Sequence, residues 1–174
     1  MNTTDFAGVR FVELTTPESL TAVRKIADEI WPETFSAILS QEQIVYMMKM
    51  MYAPEVMADE LARGYHFILL QINNEDAGYI SWSPYGGAGT VKLHKLYLRS
   101  KFHGAGIGTL MLKHIISLCR SQCCSRLLLN VNKNNEKAIK AYKRNGFAVL
   151  EAVCNDIGNG FVMDDYVMYI DLAE

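Results

Sequence analysis

Leu96-Tyr97-Leu98-Arg99-Ser100-Lys101-Phe102-His103-Gly104-Ala105-Gly106-Ile107-Gly108-Thr109 runs from an apolar strand, through a glycine-rich loop, into a helix. Downstream, Ile107, Leu110, Met111, His114, Ile115 and Leu118 recur at helical spacing. Upstream, Thr90 to Arg99 reads as a strand. Strict alternation puts Leu93, Lys95, Tyr97 and Arg99 on one face, and His94, Leu96 and Leu98 on the other. Glycines let backbone N–H groups approach an anion closely. The helix that follows presents unpaired N–H groups and the positive end of its dipole. Together they form an anion site that needs no basic side chain. The spacing is GxGxG, so it is not the dinucleotide fingerprint GxGxxG, and Gln122 to Asn130 supplies no acidic ribose partner. Gly108-Thr109 leads into Leu110, so it is not a Walker loop either. Taken alone, the loop also fits a tight strand-to-helix turn.

Away from this loop the pattern is mixed. Arg10 to Thr15 reads as a strand. Thr15-Thr16-Pro17-Glu18 has the spacing of a helix start, and that helix runs to about Trp31, where Pro32 is expected to break it. Ser40 to Gln43 repeats the start signal before a methionine-rich helix. Pro54 opens another helix, with Gly64 at its end. Tyr65 to Ile72 and Ala77 to Ser83 are strands joined by Asn73-Asn74-Glu75-Asp76. Arg126 to Val131 is a short apolar strand. With the helix before it, it implies a parallel pairing through a crossover. A helix over Asn135 to Arg144 stops at Asn145-Gly146, and two strands, about Phe147 to Val153 and Phe161 to Leu172, follow. The class is α/β with mixed α+β character, an antiparallel meander leading into βαβ. The 174 residues suit one domain over 1–174.

A second motif sits one helix and one strand after the first: Asn135, Ala138, Tyr142, Gly146 and Phe147, spaced as Asn-x-x-Ala-x-x-x-Tyr-x-x-x-Gly-Phe. With the first, it resembles the GNAT superfamily of acetyl-CoA-dependent N-acetyltransferases. Ile30 to Phe35, Ile38 to Ser40, Gln43 to Met47 and Met163 to Met168 are similar to bacterial polyamine acetyltransferases of the PaiA type. The resemblance implies a central, mostly antiparallel sheet of about seven strands flanked by helices, with a splayed gap between the fourth and fifth. It implies acetyl-CoA as co-substrate, with no metal. The cofactor would lie against Leu96, Tyr97, Leu98, His103, Gly104, Ala105, Gly106, Ile107, Gly108, Thr109, Asn135, Ala138 and Tyr142. His103 departs from the family, which usually has Arg or Gln there, but a histidine still donates a hydrogen bond.

The reaction so implied is attack of an amine on the acetyl thioester. An alkyl ammonium of pKa about 10.4 must lose a proton, and an oxyanion must be stabilised. The resemblance gives the second task to the Leu98 N–H and protonation of the leaving thiolate to Tyr142. For the amine, Glu33 is a candidate anchor or water-linked base, and His94 a second candidate base. Trp31, Phe35 and Tyr85, with Tyr46, are candidates for an aromatic wall. Asp164 and Asp165 read as a solvated turn. The acceptor is expected to be a small amine such as a polyamine. A peptide or protein N-terminus, or a non-catalytic acyl-CoA sensor, is the alternative. A homodimer through the last strands is compatible with the family.

Composition removes other classes. A net charge of −2 without a polybasic run argues against nucleic-acid binding. No apolar run is long enough to span a bilayer, and MNTTDFAGVRF lacks a signal-peptide core, so a cytoplasmic location is expected. Cys119, Cys123, Cys124 and Cys154 have no zinc spacing, although a helix would put Cys119 and Cys123 on one face. There is no GxSxG or HExxH.

Overall fold

The computed structural model describes residues 8–172. The expected leaderless start, residues 1–7, lies outside them. Strands β1 (Val9–Leu14), β2 (His66–Ile72), β3 (Glu75–Pro84), β4 (Thr90–Leu98), β5 (Arg126–Asn132), β6 (Ala148–Gly158) and β7 (Phe161–Asp171) form one sheet in the order β1-β2-β3-β4-β5-β7-β6. All neighbours are antiparallel except β4 and β5. Helices α1 (Thr21–Phe35), α2 (Gln41–Tyr52) and α3 (Pro54–Ala62) connect β1 to β2. Helix α4 (Ile107–Ser121) connects β4 to β5, and α5 (Glu136–Arg144) connects β5 to β6. No described helix is long and apolar enough to cross a membrane.

Two cores divide the helices. Ile115, Met111, Leu127, Leu129 and Met168 belong to the core under α4, against which Ala138 and Tyr142 of α5 also pack. Trp31, Phe35, Met47, Met57, Phe67 and Tyr79 belong to the core under α1, α2 and α3. Alternation along β5 and β7 therefore assigns Leu127, Leu129 and Val131 to the first face and Asn130 and Asn132 to the second.

Several boundaries differ from the sequence reading, each for a local reason. Thr16 and Ser19, rather than Thr15 and Glu18, cap one another: the Ser19 N–H donates to Thr16 Oγ1 at 3.3 Å, and the Thr16 N–H to Ser19 Oγ at 3.4 Å. Pro32 does not end α1. A proline inside a helix costs about 3 kcal/mol. Burial of Trp31 and Phe35, whose rings lie 4.5 Å apart, offsets it, since each such side chain gains roughly 1.5–3 kcal/mol. Asn73 and Asn74, at φ 51° and 65°, make a two-residue hairpin turn, so Glu75 and Asp76 join β3. Strand β6 continues to Gly158 because β7 is long enough to pair with it throughout. Helix α4 ends at Ser121, and Cys123 sits beyond it at φ 56°, exposed, away from the buried Cys119.

The most consequential difference is in β4. Ser81 of β3 faces Lys95, but the next residue, Trp82, faces Leu93. His94 is therefore an extra residue, a bulge. It reverses the alternation: Leu93 packs with Leu96 and Leu98 in the α4 core, while Lys95 and Tyr97 face the α1 side. Lys95 is buried there, its Nζ 2.7 Å from Glu60 Oε2.

Candidate active site

Strands β4 and β5 pair only from Thr90 with Arg126 to Leu93 with Leu129. Past the His94 bulge they part. The Arg99 N–H donates to the Ala77 carbonyl of β3 at 2.8 Å. By the two-residue period, the N–H and C=O of Leu98 point the other way, into the gap. That end of β4 has a backbone edge not paired with β5, facing a cavity of about 440 Å³.

The glycine loop continues the cavity. Gly104 and Gly106 have φ of 83° and 78°, a region that favours glycine. Gly106 is the N-cap of α4, so the first N–H groups of that 15-residue helix are left unpaired at the loop. His103, Gly104, Gly106, Gly108 and Thr109 line the cavity. Ala105 and Ile107 are not among the lining residues, and the Ile107 side chain is buried in the core. From α5, Asn135, Ala138 and Tyr142 close the other side. Asn135 also caps α5, its Oδ1 accepting from the Ala138 N–H at 3.3 Å. Tyr142 packs edge-on to Phe147 with ring centroids 5.7 Å apart, and burial pushes its phenol up to about 12.

His103 is engaged at both nitrogens. Nε2 lies 2.9 Å from the Leu98 carbonyl oxygen, and Nδ1 lies 3.2 Å from Lys137 Nζ. Sequence reading missed Lys137. Its signal was a cation two residues after the Asn of the second motif, where α5 starts beside the loop. It also missed Gly78, paired with Leu98 across β3 and β4. A Cβ there would lie 2.4 Å from the Tyr97 carbonyl oxygen, so only glycine lets β3 approach this stretch.

On the α1 side, Ile30, Thr34 and Phe35 reach the cavity, and His94 lines it from β4, but Trp31, Glu33, Tyr46 and Tyr85 do not. Trp31 is 2% exposed and donates through Nε1 to Tyr52 Oη at 3.0 Å. Glu33 lies on the solvent side of the last turn of α1. It lines a separate depression with Glu29, Glu75 and Arg99, because Pro32 leaves the helix intact instead of turning the chain into a loop. Tyr85, 48% exposed, lies in the β3–β4 connection under Lys92 Nζ, and Tyr46 is bonded to the Ile157 carbonyl. His94 is held by Ser83 Oγ at 2.8 Å and stacked on Tyr65. Burial, helped by Lys95 and Lys92, lowers its pKa to about 4, so the ring is uncharged at neutral pH. Asp165 is not at a solvated turn: it is 3% exposed, within β7.

A family model described as the acetyltransferase (GNAT) family matches residues 20–147. A segment of 60 residues, 34% of this chain, is 37% identical to a spermine/spermidine N(1)-acetyltransferase of Bacillus subtilis, of which it covers 40%. Another of 89 residues, 49% of this chain, is 31% identical to an uncharacterised N-acetyltransferase of Schizosaccharomyces pombe, of which it covers 55%. The chain thus spans about half the length, or less, of these curated relatives. Among solved structures, the PaiA N-acetyltransferase of Thermoplasma acidophilum in complex with coenzyme A superposes with a TM-score of 0.79 at 22% identity, over 95% of this chain and 99% of that one. Arabidopsis thaliana Naa50, in complex with the bisubstrate analogue CoA-Ac-MVNAL, gives 0.68 at 22% identity, over 94% and 99%. These likenesses establish the mixed α/β fold with its parted β4 and β5.

Proposed function

The chain belongs to the acetyltransferase (GNAT) family, and from that membership we propose that it transfers the acetyl group of acetyl-CoA to a primary amine by direct attack in a ternary complex. The observation that carries this reading is the backbone of Leu98, turned into the β4–β5 gap at one end of a cavity whose other end is the glycine loop. The pyrophosphate takes the N–H groups at the start of α4. The pantetheine arm runs along Leu96 to Leu98, beside Asn135 and Ala138. The thioester oxygen receives the Leu98 N–H, an interaction worth about 3 kcal/mol once charge develops. Tyr142 stands by the departing sulfur. A phenol near 12 is some 3–4 units above an ordinary thiol, so complete proton transfer to the thiolate is uphill by about 5 kcal/mol. Tyr142 therefore serves as a hydrogen-bond donor to the sulfur while solvent completes the protonation.

The acceptor we favour is a small amine such as a polyamine. Supporting it are the segment shared with the Bacillus subtilis relative and a cavity closed on the α1 side by Phe35 and Ile30. We place the reaction in the cytoplasm, in keeping with four unpaired cysteines. A homodimer through β6 is part of the same reading. That strand ends the sheet, with Val149 and Leu150 39% and 48% exposed. Competition in one vessel tests the acceptor. With spermidine, a monoamine and a short peptide present together, mass spectrometry is expected to find acetyl mainly on spermidine. Acetyl on the peptide N-terminus alone would transfer the reading to peptide acetylation.

A further inference from the structure

Asp165 is a buried carboxylate that the fold leaves poorly satisfied. Its closest hydrogen-bond contact among the described residues is Asn130 Nδ2, 3.4 Å from Oδ2, a long bond. Of the two nearby cations, Lys133 is bonded instead to the neighbouring Asp164, and Lys92 makes no hydrogen bond to Asp165 among the described residues. Removing a carboxylate from water costs several kcal/mol unless good hydrogen bonds and a counter-charge compensate. One long amide contact does not compensate, so packing alone gives no reason for an acid here.

Its position supplies one. Asp165 is in register with Asn132 of β5; it does not line the gap cavity itself, but Asn130, on the same face and 3.4 Å from it, does. Asn130 is the first β5 residue past the point where β4 departs. Met163, which shares the Asp165 face of β7, packs into the α1–α2 core, so this face lies opposite α4 and α5. Phe35 and Thr34 line the same cavity from the α1 side. We propose that Asp165 accepts the proton that the amine must lose, across one water held at Asn130. This rests on the acetyl-transfer reading above.

The electrostatics agree. Burial pushes the Asp165 carboxyl above the usual carboxylate range, and Asp164 adds to it; Asn130, Lys92 and Lys133 pull the other way. The groups facing it are Lys92 and Tyr97 from β4, Lys133 from the β5–α5 connection and Asp164 from β7, with Cys154 of β6 beyond Lys133. A raised carboxyl is a stronger base toward an ammonium. One N–H proton of the ammonium passes to Asp165, and the freed nitrogen attacks the thioester carbon. As the C–S bond breaks, the nitrogen gives its second N–H proton to solvent and the thiolate takes one up from solvent. Asp165 then releases its proton to solvent.

The test compares the full chain with Asp165→Asn and with the double variant Asn130→Asp/Asp165→Asn, which moves the carboxylate to the other member of the pair. Acetyl-CoA affinity is read by calorimetry, and kcat/KM against pH with the best amine of a panel. Asp165→Asn is expected to keep affinity and lose about 100-fold in kcat/KM near pH 7, the loss shrinking as rising pH deprotonates the amine unaided. The double variant should regain at least about tenfold. A wild-type pH profile in Asp165→Asn, or a double variant no better than the single, overturns the role while leaving the acetyl-transfer reading in place. A wild-type chain that releases no thiol with any amine removes both.

Discussion

His103 Nε2 donates to the carbonyl oxygen of Leu98 across 2.9 Å. The partners fix the tautomer: a carbonyl only accepts, and the Lys137 ammonium at Nδ1 only donates. The side chain at the loop position that the family usually fills with Arg or Gln thus pins the end of β4, and it meets Lys137 at the glycine-loop end of the cavity.

His103→Ala should release both contacts. One hydrogen bond is worth about 1 kcal/mol, so acetyl-CoA affinity is expected to fall roughly fivefold. His103→Arg, with its own fork of donors, should recover it. Calorimetric titration of the two variants with acetyl-CoA checks this.

Gly78→Ala is expected to act through β4. Its Cβ would meet backbone, the Tyr97 carbonyl, at 2.4 Å, so the strands must shift. Overpacking of this kind costs about 1–3 kcal/mol. Because the displaced stretch carries the Leu98 N–H, kcat/KM should fall by more than the stability loss explains. A denaturation midpoint and steady-state kinetics on the same preparation separate the two effects.

Tyr142→Phe keeps the ring against Phe147 and removes the hydroxyl. The expected result is kcat lowered about 10- to 100-fold with acetyl-CoA affinity nearly kept. Unchanged kcat would remove Tyr142 from the chemistry and leave it a packing residue of α5.

His94 gives the fold a dependence on acid. Its pKa is about 4 in the folded chain against 6.5 when unfolded, with burial as the main cause. Between those values the unfolded chain binds a proton that the folded chain does not, so stability is lost as pH falls from about 6.5 toward 4. The full gap corresponds to about 3 kcal/mol, and partial exposure of the ring trims that to about 2. His94→Gln should flatten this part of the curve of urea midpoint against pH.

Much of the fold was legible in residues 96–147, because the loop and the second motif are local: spacing along one strand, one loop and two helices carries them. The site's outer parts were less legible because they depend on contacts across the sheet. The His94 bulge shows itself only when β3 pairs with β4, and without it Leu93 is assigned to the wrong face. Pro32 misled through a sound local rule that the burial of Trp31 and Phe35 overrode, and Glu33 went astray with it. Asp165 looked solvated because Asp164-Asp165 reads as a turn, whereas its hydrogen-bond partner on β5, Asn130, lies 35 residues away in the chain.

The central claim is that a thiol is released from acetyl-CoA only when an amine is present to receive the acetyl group. The direct measurement is thiol release by the full chain with acetyl-CoA, alone and with spermidine, spermine, monoamines, amino acids and short peptides. Negligible release is expected without an amine, and amine-dependent release matched mole for mole by acetylated product. Acetyl-CoA bound in calorimetry but never consumed with any member of the panel would contradict it, and would mark the chain as a binder of acyl-CoA instead of a transferase.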